Sequence, residues 1–304
     1  MTAAVIDLGT NTFHLIIAEV VDSSVHVLYK TNVPVKLGEG RINEHIIISA
    51  AFERGIQTLK TFQKTIKAYG ATTVKAIATS AVRSASNGTD FVQAARELAG
   101  IDIEVITGDQ EAVYIFNGVK ATGVISGLSL IMDIGGGSTE FIICDNERLL
   151  WKKSYDIGAA RLMQAYFNTD PISQNDQEAI TDHLDKELTG LKEACEIYQP
   201  RHLIGSAGAF ETFAAMLVKE LDIKSIKSVP LDLNAYHELS QKLITSTHDE
   251  RDAMPDLIKL RVDMVVIASI LTNYIIRHLN IAELSLSTYD LKMGVLYTLT
   301  GSKP

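Results

Sequence analysis

One pattern constrains the fold of this chain more than any other. Val5 to Phe13, VIDLGTNTF, and Ile131 to Phe141, IMDIGGGSTEF, share an apolar pair, an Asp, an apolar residue, a Gly and a run of small polar residues. Their aspartates, Asp7 and Asp133, stand 126 residues apart. Self-similarity at a fixed spacing is the signature of a duplicated unit. The segments after the two motifs repeat as well. HLIIAEV and VHVLYK flank the turn signal VDSS, and FIICD and RLLWKKSY flank Asn146-Glu147, so each half reads as a β-hairpin. A third apolar–polar stretch comes next, VPVKLGEG in one half and SYDIGAAR in the other.

The parallel continues into helical pattern. Ile48, Phe52, Ile56, Leu59, Phe62 and Ile66 recur at helical spacing, and Ile180, Leu184, Leu188, Leu191 and Cys195 do so in the second half. Short buried strands come after these helices, VKAIATS (74–80) and HLIGS (202–206), each leading through a polar turn to a further helix, 89–99 and 209–220. Each half thus reads β-hairpin, β, α, β, α. Two such halves predict a duplicated two-domain α/β protein with its ligand in the cleft beyond the strand ends. Gly100, Gly123 and Gly127 place the junction near residue 122. The expected domains are 1–122, rejoined by a C-terminal helix at about 290–304, and 123–289.

Composition removes other classes. The 304 residues are 46% hydrophobic and 21% charged, with 28 Lys and Arg against 37 Asp and Glu, a net charge of −9. That balance argues against nonspecific DNA binding, which needs a basic surplus. Cys144 and Cys195 are the only cysteines and form neither a CxxC pair nor a zinc spacing, so a reducing, cytoplasmic setting is expected. The N-terminus reaches Asp7 too early for a signal peptide, and the apolar stretch 264–271 is too short to span a bilayer. No membrane partner is expected.

DIGGGSTE (133–140) carries the clearest chemistry. Gly135, Gly136 and Gly137 let the backbone bring N–H groups against an anion, and Ser138 and Thr139 add hydroxyl donors. Asp133 and Glu140 face the same anion if the segment folds back as a hairpin. One or two carboxylates beside phosphate oxygens suit Mg²⁺, or another hard divalent cation. Alone, this reads more readily as a Gly-rich turn with solvated acids. Paired with DLGTNT, where Asp7, Gly9, Thr10 and Asn11 repeat the arrangement, it predicts two phosphate loops facing each other. ATSAVR (78–83) exposes Ser80 and Arg83 at a turn, and the planar Arg fork suits phosphate oxygens, although an Arg at a turn is ordinarily just solvated.

DLGTNTFHLIIAEV, ATSAVRSASNGTDF, ITGDQEAVYIFNGV and IMDIGGGSTEFII resemble, in order and spacing, the exopolyphosphatase/guanosine-pentaphosphatase family. RVDMVVIASIL and LSTYDLKMGVLYTL resemble its last two blocks. That resemblance implies an actin-like (ribonuclease H-like) ATPase fold and a short two-domain member. The implied activity is Mg²⁺-dependent release of terminal phosphate from inorganic polyphosphate, or from guanosine pentaphosphate. It also implies a homodimer, Glu111 as the general base that activates water, and Arg83 as the residue stabilising transferred charge. Relatives carry a run of acids before the base; here Gln110 interrupts it, which leaves Asp109 as the fallback. In GSAGAFE (205–211), Ala207 and Ala209 replace the family's hydroxyl residues, so only Gly205 and Gly208 are carried as cleft-lining positions. His14 reads as structural, and Lys152 and Lys153 as surface charges. A non-catalytic, actin-like sensor of nucleotide or polyphosphate is the alternative from another class.

Overall fold

Strand parity organises the molecule. The computed structural model describes residues 1–300 apart from Ser23, Leu221 and Lys224. Residues 301–304, expected to extend the terminal helix, lie outside the described residues. Along β1 (Thr2–Leu8), Ala4, Ile6 and Leu8 point to one core while Ala3 and Val5 point to another. The same split occurs along β6 (Ser129–Ile134) and β7 (Thr139–Cys144): Leu130, Met132, Phe141 and Ile143 face one side, and Ile131, Ile142 and Cys144 the other. Strands buried on both faces read as continuous apolar runs, and the two-residue period decides which face each residue joins.

The described residues form two mixed sheets of one design. The first runs β3-β2-β1-β4-β5, with β2 (Phe13–Val21), β3 (Ser24–Val33), β4 (Thr73–Ala78) and β5 (Ile103–Val105). The second runs β8-β7-β6-β9-β11, with β8 (Leu149–Tyr155), β9 (His202–Ser206) and β11 (Glu283–Ser287), and adds β10 (Ser228–Leu231) at its edge. In both, the first three strands in sequence are antiparallel and two later ones join in parallel, β4 and β5 in the first sheet and β9 and β11 in the second, where β10 pairs antiparallel with β11. The duplication and the α/β class are therefore visible in the strand order itself. The segment 207–282 supplies β10 and several helices, including Leu233–Thr245 and Met264–His278.

Two helices fill the layer between the sheets. Gly108–Lys120 lies against β7 and β8 of the second sheet, while Leu291–Thr298 lies against β1 to β3 of the first. Each half thus sends its last helix toward the other sheet. A boundary at 122 follows the chain, but packing crosses it. The two helices approach closely because Gly118 and Gly294 lack side chains: a Cβ at Gly294 would lie 1.8 Å from the Tyr114 carbonyl oxygen, and one at Gly118 2.3 Å from that of Asp290.

Two expectations need correction. VPVKLGEG and SYDIGAAR are not separate strands. Beyond Val33 and Tyr155 they turn under the Gly-rich loops and hydrogen-bond to them, since the first strand of each sheet precedes its hairpin. The long helix expected over 180–195 breaks into Gln174–Glu187 and Thr189–Tyr198. The break falls at Leu188, just ahead of the weak helix formers Thr189 and Gly190. No helix among the described residues is long and apolar enough to cross a membrane. Both cysteines are free and buried.

Candidate active site

The parity that separates the cores also aims the acids. Asp7 continues the face of Ala3 and Val5, and Asp133 that of Ile131, so both emerge from the layer between the sheets. Directly across the ladder from Asp133 stands Glu140, and across from Asp7 stands His14. His14 is thus the first half's counterpart of Glu140. Burial and the nearby charges of Lys292 and Arg261 hold its imidazole neutral, well below its usual pKa.

The two loops have matching backbones. A Cβ at Gly9 would lie 2.9 Å from the Thr12 oxygen, and one at Gly135 2.8 Å from the Ser138 oxygen. Each loop is braced from behind by the stretch that comes after its hairpin. Lys36 and Gly38 N–H donate to the carbonyls of Asn11 and Thr10 at 2.7 and 3.0 Å. Ala159, Ala160 and Arg161 N–H donate to those of Gly135 and Gly136 at 2.9 to 3.1 Å. Carbonyls held backward leave the loop N–H groups free to turn outward; among the described residues none from Gly9 to Asn11 or Gly135 to Ser138 bonds another backbone carbonyl. Such a row of amides is an anion nest.

The loops meet. Added Cβ atoms at Gly136 and Gly137 would fall 2.9 Å from Thr10 Cβ and 2.5 Å from Ser80 Oγ respectively. Ser80 Oγ is buried without a hydrogen-bond partner beside this contact, a donor available to a ligand. Other expected phosphate donors are otherwise engaged. Ser138 Oγ donates to Glu140 Oε1 at 2.7 Å, Thr139 Oγ1 donates to the Ile157 carbonyl at 3.1 Å, and Asn11 Nδ2 donates to Met264 Sδ across the cleft. The Ser138 and Thr139 hydroxyls are therefore engaged within the protein and shape the loop.

Glu111 enters from the start of the Gly108–Lys120 helix. Thr107 caps that helix, and Gln110, the residue that interrupts the acidic run, completes the capping box by accepting from Thr107 N–H at 2.9 Å. Gly108 sits where a Cβ would lie 2.3 Å from Ser154 Cβ, which brings the helix onto β8 and Glu111 toward Glu140. Glu111 is only 7% exposed and accepts from Arg83 Nη1 at 2.9 Å; Arg83 also donates to the Ile106 carbonyl at 3.1 Å. Asp109 points elsewhere. It is mostly exposed and paired with Lys152 at 2.6 Å, so it lies outside the buried cluster and Lys152 is no idle surface charge.

Asp7, Glu111, Asp133 and Glu140 form one electrostatic cluster. Burial raises all four carboxyls above their usual values, that of Asp7 to about 6, and the charge of Glu140 raises the other three further. Arg83 pulls Glu111 and Glu140 back down, and Lys292 does so for Asp7 and Asp133. Hydroxyl donors hold the anions in place: Ser154 to Glu140 at 2.7 Å and Ser206 to Asp133 at 2.7 Å.

Ser154, Ser206 and the Asp290–Lys292 pair fall within stretches quoted above, but the sequence reading gives none of them a role at the site. Ser154 faces Glu140 and Ser206 follows Gly205, the partner of Met132, so ladder register alone would have found the two serines. Lys292 reaches the cluster only because its helix crosses to the first sheet. Gly205 does not line the cleft; a Cβ there would enter the Phe210 ring at 1.9 Å.

Acids emerging from two matching sheets, with amide-rich loops in contact above them, define the class: a duplicated α/β protein with a candidate anion site where its halves meet. The signature of the Ppx/GppA phosphatase family matches residues 16–303. The crystal structure of an exopolyphosphatase from Cytophaga hutchinsonii is 38% identical and superposes with a TM-score of 0.96 over 100% of this chain and 99% of that one. A Ppx/GppA enzyme of Aquifex aeolicus is 25% identical, with a TM-score of 0.82 over 98% and 99% of the two chains. A provisionally named exopolyphosphatase of Haemophilus influenzae is 30% identical over 298 residues, 97% of this chain and 90% of that protein. The guanosine-5'-triphosphate,3'-diphosphate pyrophosphatase of Pseudoalteromonas atlantica is 29% identical over 71% of this chain but only 43% of its own length. The chain belongs to the Ppx/GppA phosphatase family and is a phosphoanhydride hydrolase.

Proposed function

We propose that this protein is an exopolyphosphatase, releasing terminal phosphate from inorganic polyphosphate by direct attack of water. The observation that carries the reading is the contact of two amide-lined loops above buried carboxylates, with Glu111 and Arg83 paired at one side. Backbone N–H groups of Gly9 to Asn11 and Gly135 to Ser138, together with Thr10 and Ser80, would bind phosphate oxygens. Glu111 orients the water and takes its proton as the new P–O bond forms and the bridging P–O bond breaks. Arg83 offers charge to the phosphoryl group in transit and keeps Glu111 closer to ionisation.

The donor set fits a hard divalent cation. Asp133 and Glu140 are facing carboxylates in a cluster rich in negative charge. Among the described residues no three His, Cys, Asp or Glu side chains are placed to hold a metal ion; Mg²⁺ takes one or two carboxylates and completes its shell with waters and phosphate oxygens. Asp133 and Glu140 would hold it, with Asp7 nearby, and when bound it supplies neutralisation of phosphate charge.

Polyphosphate is favoured over guanosine pentaphosphate because the relatives that match nearly end to end carry the exopolyphosphatase name. A sensor would have no use for a buried carboxylate held against an Arg beside the phosphate loops. The deciding experiment is phosphate release from polyphosphate, guanosine pentaphosphate and ATP, each with Mg²⁺ and with a chelator. Mg²⁺-dependent turnover of polyphosphate above the other two is expected. Turnover of guanosine pentaphosphate without polyphosphate would overturn the substrate, and no turnover of any would overturn the enzyme reading.

A further inference from the structure

Arg161 takes no part in the chemistry of the carboxylate cluster, yet it is buried and touches both halves. Its Nε donates to the Gly137 carbonyl at 3.1 Å, and its Nη1 donates to the Ile42 carbonyl and Asn43 Oδ1 at 3.2 Å each. Asn43 Nδ2 returns a bond to the Arg161 carbonyl at 3.1 Å. One turn further along the Ala159–Tyr166 helix, Gln164 Nε2 donates to the Gly38 carbonyl at 2.8 Å. Gly38 in turn donates its N–H to Thr10, and Arg161 its N–H to Gly136. A continuous path of hydrogen bonds therefore leaves the first phosphate loop at Thr10, crosses the cleft through Gly38–Gln164 and Ile42/Asn43–Arg161, and enters the second loop at Gly136 and Gly137.

Burying a guanidinium is costly unless its donors are used. Here the nearest carboxylate, Asp156, is exposed and 3.8 Å away, and Nη2 has no hydrogen bond. Charge pairing does not account for an Arg at this position. A planar fork that reaches three acceptors in two domains does.

We infer that Arg161 is a positioning residue, the centre of a strut that fixes the spacing of the two phosphate loops from behind the site. This rests on reading 135–138 as a phosphate cradle. Tilting the domains apart breaks the bonds to Ile42 and Asn43 and releases the Gly137 carbonyl, so domain closure and loop geometry change together.

The test compares Arg161→Met, Arg161→Lys, Asn43→Ala and the double variant Arg161→Met/Asn43→Ala with the parent protein. For polyphosphate hydrolysis, Arg161→Met should raise KM ~10-fold with kcat within about threefold, the pattern of lost binding rather than lost chemistry. Asn43 is exposed, so Asn43→Ala should fold normally and raise KM roughly two- to threefold, and the double variant should be no worse than Arg161→Met. Lys should restore less than half of the loss, because a point ammonium cannot reach Gly137 and Ile42 together. KM within twofold of the parent in Arg161→Met, fully additive effects, or complete rescue by Lys would overturn the strut. Small-angle X-ray scattering without substrate reads it independently of activity. A larger radius of gyration is expected in the double variant, and an unchanged one counts against the inference. Should the parent release no phosphate from polyphosphate, the functional proposal fails while the scattering still decides on Arg161.

Discussion

At the scale of single residues, the site turns on a carboxyl that must be a base in surroundings hostile to charge. Burial and the neighbouring charge of Glu140 push Glu111 well above its usual pKa, and the Arg83 guanidinium opposes them. Glu111→Gln keeps the size and the acceptor for Arg83 but removes the basic oxygen. Its kcat for phosphate release should fall ~10²–10⁴-fold, with polyphosphate binding retained in a direct titration. Near-normal kcat would move the base elsewhere. The same balance predicts a pH effect. Activity should fall on acidification as Glu111 takes up a proton, and Arg83→Met, which removes the opposing charge, should move that limb of the kcat/KM profile to higher pH. A limb that stays in place would separate Arg83 from the ionisation of Glu111. Of these residues the sequence exposes the types but not the environment. Asp109 and Glu111 stand two positions apart in one helical turn, and only the fold shows that Asp109 meets Lys152 at the surface while Glu111 turns inward.

At the scale of elements, legibility depends on the range of the interactions. The hairpins, the buried strand 202–206 and the helix over 48–66 are set by local period, and each is readable from spacing; the strand expected over 74–80 is Thr73–Ala78, buried only in its second half, and a helix begins at Ser80. The braces are not readable in that way. VPVKLGEG and SYDIGAAR look like strands because their apolar residues alternate, yet their N–H groups are drawn to loop carbonyls that only the folded hairpin presents. The final helix is rejoined to the first domain already in the sequence reading, but nothing in the sequence indicates that the first half's last helix packs on the second sheet, a crossing decided by Gly118 and Gly294 far apart in the chain. Gly294→Ala tests that crossing. Its Cβ would meet the Tyr114 carbonyl at 1.8 Å, so the helices must separate, at a cost of ~1–3 kcal/mol by the usual scale of overpacking. Lys292, two residues away, shifts with the helix. Thermal melting should show the loss, and activity should drop beyond what stability explains. An unchanged melting point would mean that the crossing relaxes freely.

At the scale of the whole molecule, two copies of one unit bring together acids that neither copy would hold alone, and this carries a stability penalty with a definite pH dependence. Burial raises the Asp7 carboxyl from 3.8 to about 6. Between those values the folded protein binds more protons than the unfolded chain, so stability must fall as pH rises through that window. The penalty is absent below about 3.8 and fully present above about 6. Glu111, Asp133 and Glu140 shift in the same direction. His248, raised by Asp263, also favours the acidic end, so the pH trend of the parent protein alone does not isolate the cluster. A difference between variants does. Asp7→Asn removes one buried charge while leaving His248 untouched, so without divalent cation it should stabilise the protein at pH 8 and have little effect at pH 4. The gain is at most ~3 kcal/mol for a shift of about two pKa units, and less to the extent that Asp7 is wetted by the cleft. Mg²⁺ with polyphosphate should stabilise the parent protein more at pH 8 than at pH 5, since the charges it neutralises are present only at the higher pH. Asp7→Asn should lose activity while gaining stability, the trade expected where function requires like charges to be held together. Equal melting shifts for Asp7→Asn at the two pH values, measured in the presence of a chelator, would show that Asp7 titrates as an ordinary surface acid and would remove it from the cluster.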